Sequence, residues 1–261
     1  IQRLSSVLNE ISTQQQVIIT THSPLLVDRT KINNNILVNK SKALAAKNIV
    51  QIRNILGVQV SDNLTSASWV LLVEGEEDKR IIKTWLTALS TKLKKEFEAN
   101  QIIIDDLQGG ANLSYKLSQY KNLMCNTFSY LDNDPCALKS FERAKTQGLI
   151  NLDSIVFSVC PGRAYSEIED LITPDTYIES IQNKFGVTLK GSLFRNNKKI
   201  WSDRVHAVFV NQGKFWNDKI EKEVKNVVAE RVEQVGIDSL NPKCMSSVES
   251  LMESLCKKMN L

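Results

Sequence analysis

The spacing of apolar positions along the chain changes twice. In residues 1–11, Leu4, Val7, Leu8 and Ile11 fall on one helical stripe. Residues 16–20, Gln-Val-Ile-Ile-Thr, form a short apolar run that predicts a buried strand, and residues 36–38 predict another. Asn33, Asn34 and Asn35 supply turn chemistry between them. A helix is expected over 48–56, and the polar stretch 61–68 reads as a domain boundary. From residue 69 the pattern alternates. Strands are predicted at 69–73, 101–107, 127–131 and 154–159, separated by helices at 77–99, 113–123 and 137–146. Such alternation predicts an α/β domain, a mainly parallel Rossmann-like sheet with right-handed crossovers and helices on both faces. Beyond Pro174 the pattern becomes helix-rich, notably over 216–235 and 246–259. The expected division is therefore 1–60, 61–175 and 176–261.

Carboxylates stand where the strands run out. Ser68-Trp69-Val70-Leu71-Leu72-Val73 ends in Glu74-Gly75-Glu76-Glu77-Asp78, and Thr127-Phe128-Ser129-Tyr130-Leu131 ends in Asp132-Asn133-Asp134-Pro135. In an open α/β sheet the carboxyl ends of neighbouring strands share one crevice, so these acids should converge. A cluster of carboxylates without His or Cys partners favours hard cations, Mg²⁺ or Mn²⁺, over zinc. Each piece also has a plainer use: Glu74 as an acid at a helix start, and Asp132 or Asp134 as turn formers. Spacing of two at a strand end points both aspartates the same way, and their repulsion calls for a cation. A third acidic patch, Glu167-Ile168-Glu169-Asp170, follows the strand at 154–159. Lys214 follows Val208-Phe209-Val210, read as an apolar strand before a helix. Lys92, Lys94, Lys95, Lys198 and Lys199 are solvated charge by default.

An apolar strand into Glu-Gly-x-x-Asp and a later one into Asp-x-Asp resembles the Toprim domain of topoisomerases, primases and related nucleases. Gln16-Val17-Ile18-Ile19-Thr20-Thr21-His22-Ser23-Pro24 resembles the last core strand and switch histidine of ABC-type ATPases. That order is similar to the OLD family (overcoming lysogenisation defect), which includes the Gabija nuclease subunit and certain retron effectors of anti-phage defence. The resemblance implies a DNA endonuclease using two Mg²⁺ or Mn²⁺ ions. Glu74, Asp132 and Glu169 would hold one, and Asp78 and Asp134 would hold or share the other. The family motif selects Asp78 over Glu76 and Glu77. It also matches Glu169, while Glu167 stands where a small residue is expected, so one or both could bind. A catalytic lysine is implied after the Toprim core: Lys214 matches best and Lys219 next. His22 would sense the γ-phosphate of ATP in the full-length protein, and the segment 1–60 would end the ATPase domain. The resemblance further implies a bacterial cytoplasmic protein, oligomerising through the ATPase region, with a helicase or reverse transcriptase as partner. The rival is a non-catalytic Toprim-like binding or assembly module. Primase chemistry would need a zinc module, and strand transfer a tyrosine in recognisable context; neither is legible.

Composition narrows this little further. The 261 residues carry a net charge of +4, which permits nucleic acid as a partner without indicating one. Cys125, Cys136, Cys160, Cys244 and Cys256 include no Cys-x-x-Cys pair, arguing for a reducing compartment and against zinc. No apolar run is long enough to span a bilayer. No Gly-x-x-x-x-Gly-Lys loop occurs, so His22 has no ATP site to complete within this sequence. With Ile1 as the first residue, the chain reads as the C-terminal portion of a longer protein.

Overall fold

The computed structural model describes residues 7–8, 10–22, 26–28, 31–39, 41–56 and 67–261. They form two compact units, residues 1–68 with 118–126, and residues 69–117 with 127–261.

In the smaller unit, β1 (Ile36–Asn39) and β2 (Lys42–Ala45) make an antiparallel hairpin with Asn39 opposite Lys42. Helix α1 (Ile49–Ile55) begins at Asn48, whose side chain accepts the Gln51 N–H. Ala46, Ile49 and Ile52 bury themselves with Met124. The strand expected at 16–20 does not form. This stretch is irregular, and Ile18 is 80% exposed. A strand needs a neighbour to take up its backbone hydrogen bonds; among the described residues nothing pairs with it. Ser23, Pro24 and Leu25 of the expected switch motif lie outside the described residues, and His22 is exposed.

The larger unit contains β3 (Trp69–Val73), α2 (Glu76–Leu89), α3 (Thr91–Glu98), β4 (Ile102–Asp106), the start of α4 (Leu113–Asn122), β5 (Asn126–Asp132), α5 (Pro135–Thr146) and β6 (Ile155–Ser158). The four strands form a parallel sheet ordered β4-β3-β5-β6, flanked by helices. Val70 to Val73 are all buried, as expected of a strand covered on both faces. One helix was expected across 77–99; Ser90 divides it. Its side chain accepts the Leu93 N–H and its backbone is extended, so one helix stops and the next starts there.

The remaining helices are α6 (Ile178–Phe185), α7 (Gly191–Phe194), α8 (Trp201–Asn211), α9 (Asp218–Val235) and α10 (Met245–Met259). They share one hydrophobic core with the sheet, in which Trp85, Phe128, Tyr177 and Trp201 are among the largest buried side chains. Residues 208–210, expected as a strand, lie in α8. Trp201, Val205, Val208 and Phe209 are buried at helical spacing while Val210 is exposed, so period 3.6 wins over a three-residue apolar run. Helix α9 lies against α2, where Arg80 pairs with Glu233, and in the turn after α9 Ser239 Oγ accepts from Trp85 Nε1 at 3.0 Å. Buried Arg204 pairs with Asp170 and donates to the Phe194 carbonyl at 2.8 Å. Removing one partner of such a pair leaves an uncompensated charge, so Arg204→Leu is expected to lower unfolding stability by about 3–5 kcal/mol. Urea denaturation checks this, and a loss below about 1 kcal/mol would show that the pair is solvated in practice.

Candidate active site

The chain leaves β3 for β4 on one side and returns to β5 on the other, so the switch point of the sheet lies between β3 and β5. Glu74 and Asp132 stand there. Glu74 Oε1 accepts the Asp132 N–H at 3.1 Å, which locks the two strand ends together. Glu74 Oε2 faces Gly110, where a Cβ would sit 3.1 Å from it; a side chain at 110 would press on this carboxylate. Asp78 comes from the first turn of α2 and turns back to accept the Gly75 N–H at 2.9 Å.

Asp132 is buried and its Oδ1 accepts from Ile168 N at 3.0 Å and from Ser158 Oγ at 3.3 Å. Those bonds draw the segment after β6 onto the strand end. A two-way backbone pairing of Asn133 with Ser166, 2.9 Å in each direction, does the same. Glu167 and Glu169 thereby come to the same place. Glu167 accepts from Ser202 N at 2.6 Å and Ser202 Oγ at 2.9 Å, at the start of α8. Among the described residues neither oxygen of Glu169 has a hydrogen-bond partner, although the residue is almost fully buried. Asp134 is close enough to raise the Glu74 pKa, but its own Oδ1 caps α5 by accepting the Ala137 N–H at 2.7 Å. Asp170 belongs to the ion pairs with Arg204 and Arg163.

The structure does not bring Lys214 to these carboxylates. It is exposed, with Nζ 3.3 Å from where a Cβ on Gly186 would stand, at the C-terminus of α6. Lys219 is also exposed. The lysine that reaches the site is Lys225, from α9, with Nζ 3.6 Å from both Glu167 Oε1 and Glu169 Oε1. Its neighbours Val224, Val227 and Val228 are buried in the core, so packing of the apolar stripe aims Lys225 inward. A weak signal was present: Glu221 and Lys225 are four apart, an acid preceding a base along one helix face.

Electrostatics follow from this crowding. Burial, then the Asp78 charge, push Glu74 up to about 7. Burial pushes Asp78 to about 6 and Glu169 to about 8, with Lys225 opposing in both cases. Asp132 is raised well above the usual carboxylate range by burial and by Asp78 and Glu74. Burial alone would lower the Lys225 ammonium, but Glu169, Glu167, Asp132 and Asp78 outweigh it and hold it well above its ordinary value. The folded protein therefore keeps protons on these acids that the unfolded chain has released, and stability falls as pH rises. Their contribution is complete below about pH 4 and lost as pH rises towards 8. In EDTA, Glu169→Gln is expected to melt progressively higher than wild type between pH 5 and 8, by scanning calorimetry at about one-unit steps. Parallel melting curves for the two proteins would contradict the burial of an ionisable Glu169.

An open cleft of about 650 Å³ lies at this edge, lined among others by Glu74, Gly75, Glu77, Gly109, Glu221 and Lys225. The donor set suits a hard divalent cation, and the Glu169 oxygens, which accept no hydrogen bond among the described residues, are what such an ion would satisfy. As the side chains stand, no group of three or more His, Cys, Asp or Glu among the described residues is arranged to hold a metal ion. Lys225 occupies the position of balancing charge instead.

No family model matches the chain, and no curated protein matches its sequence. Among solved structures it is similar to the C-terminal region of the Burkholderia pseudomallei OLD protein. The match has 15% identity and a TM-score of 0.43, and covers 72% of this chain and 98% of that one.

Proposed function

We propose that this chain carries a Toprim-type nuclease site of the OLD kind, hydrolysing phosphodiester bonds of DNA with Mg²⁺ or Mn²⁺. One observation carries the reading: acids from the ends of β3 and β5 and from the segment after β6 meet around Lys225 at the switch point of a parallel sheet. Glu74, Asp132 and Glu169 would hold one ion, and Asp78 with the free oxygen of Asp134 a second. Bound there, such ions would acidify water and offset charge on the phosphate oxygens. The chain's own groups do the rest. Asp132 N–H fixes Glu74 Oε1, while Oε2 faces Gly110. Gly75 and Gly109 add no side chains to the lining of the cleft. The Lys225 ammonium is placed to meet a phosphate as it turns from Glu167 and Glu169.

One observation favours a second reading, a non-catalytic binding module: Lys225 already balances Glu167 and Glu169 without an ion. Plasmid DNA separates the two. Cleavage is expected with Mg²⁺ or Mn²⁺ and not in EDTA. Titration calorimetry with Mn²⁺ alone should show binding that Glu169→Gln weakens at least roughly tenfold, about 1.4 kcal/mol. Mn²⁺ binding without cleavage of any DNA form would favour the module; absence of both would remove the metal site. ATP control through His22, a helicase or reverse-transcriptase partner and oligomerisation belong to the same proposal.

A further inference from the structure

Cys160 and Cys244 are 84 residues apart in sequence, yet their sulfur atoms lie 3.4 Å from each other inside the larger unit. Both are buried free thiols. Cys160 opens the segment between β6 and Glu167. Its N–H donates to Ser166 Oγ at 3.1 Å and its Sγ faces the Asp170 carbonyl at 3.5 Å. Cys244 immediately precedes α10. A second tether joins the same two regions, the Val159 N–H donating to Ser247 Oγ at 3.2 Å. A single buried cysteine behaves as a small hydrophobe; two in contact form a nucleophile and its resolving partner. The S–H donated by Cys244 stabilises a thiolate on Cys160, and Arg163 assists; together they lower Cys160 to about 7.

We propose that Cys160 and Cys244 are a redox-active dithiol, which hydrogen peroxide converts to a disulfide tying the acidic segment to the C-terminal helix. The Cys160 thiolate attacks one peroxide oxygen, breaking the O–O bond and releasing hydroxide, to give a sulfenic acid. Cys244 then attacks Cys160 Sγ, the S–S bond forms, and the hydroxyl leaves with the thiol proton as water. Peroxide gains the two electrons that the two sulfurs lose. A thiol reductant reverses the change. Forming the bond draws the sulfurs closer by more than 1 Å, from 3.4 Å to about 2.05 Å. Ser166 transmits that pull, because it holds the Cys160 N–H and pairs with Asn133 between Asp132 and Asp134. The expected loss of cleavage on oxidation rests on the proposed nuclease function; the dithiol itself does not.

The test is peroxide treatment of the native protein, then denaturation and thiol counting. The count is expected to fall from five to three, with a Cys160–Cys244 cross-linked peptide by mass spectrometry, and to return to five with dithiothreitol. Cys160→Ser and, should that fold poorly, Cys244→Ala are expected to give no such cross-link. A count that stays at five, or oxidation confined to exposed Cys136 and half-buried Cys256, overturns the proposal. Cleavage is measured in parallel, and a roughly tenfold or greater fall reversed by reductant supports the coupling. A protein inactive in both forms counts against the nuclease reading, while the cross-linked peptide still decides the dithiol.

Discussion

Asp132→Asn is expected to reduce metal-dependent DNA cleavage by a factor of at least about a thousand, as loss of a central ligand in a metal-assisted hydrolysis should. Asparagine is the informative replacement. Asp132 Oδ1 accepts hydrogen bonds from Ile168 N and Ser158 Oγ, which hold the Glu167–Glu169 segment in place. Alanine would strand the Ile168 N–H, costing about 1–3 kcal/mol, and would confuse loss of folding with loss of function. Asparagine keeps the acceptor and removes the charge. That charge is repelled by Asp78, Glu74 and Glu167. In EDTA at pH 8 the variant should therefore melt no lower than wild type. Plasmid nicking and calorimetry on one preparation supply both readouts. Cleavage at the wild-type rate would exclude Asp132 from the site.

Lys225→Met separates two candidate lysines. If Lys225 meets the phosphate in the transition state, single-turnover cleavage at saturating DNA should fall by roughly a hundred- to a thousandfold. Lys214→Ala should leave that rate unchanged, since Lys214 lies exposed beside Gly186. The methionine variant also removes the cation opposing the raised pKa values of Asp78 and Glu169. Its stability should then fall more at pH 8 than at pH 5.5, where protonation relieves the repulsion. Melting at both pH values identifies this electrostatic loss. A Lys225→Met protein with a normal saturated rate would place the lysine outside the mechanism and leave it a structural counter-ion.

Local pattern determined much of the larger unit. The run Trp69–Val73 is apolar without alternation because both faces are covered, and Glu74 follows because a strand end at the crevice reaches water. Asp132 at the end of the later apolar run 127–131 carries the same signal, and the crevice shared by strand ends in an open α/β sheet implied that the two would converge. Tertiary context decided the rest. Residues 16–20 have the composition of a strand, but strand geometry requires a partner, and no described residue provides one. Val208-Phe209-Val210 is too short to show its period, and Trp201 and Val205, buried before it at helical spacing, made it helix. The lysine was the hardest residue to find. Lys219, Lys222 and Lys225 follow one another at three-residue spacing on α9, with equal charge and similar surroundings in sequence. Only the packing of Val224, Val227 and Val228 into the core, with α9 against α2, fixes which of them points at the carboxylates. A helix carries lysines on every side; the direction each one faces is a property of what the helix packs against.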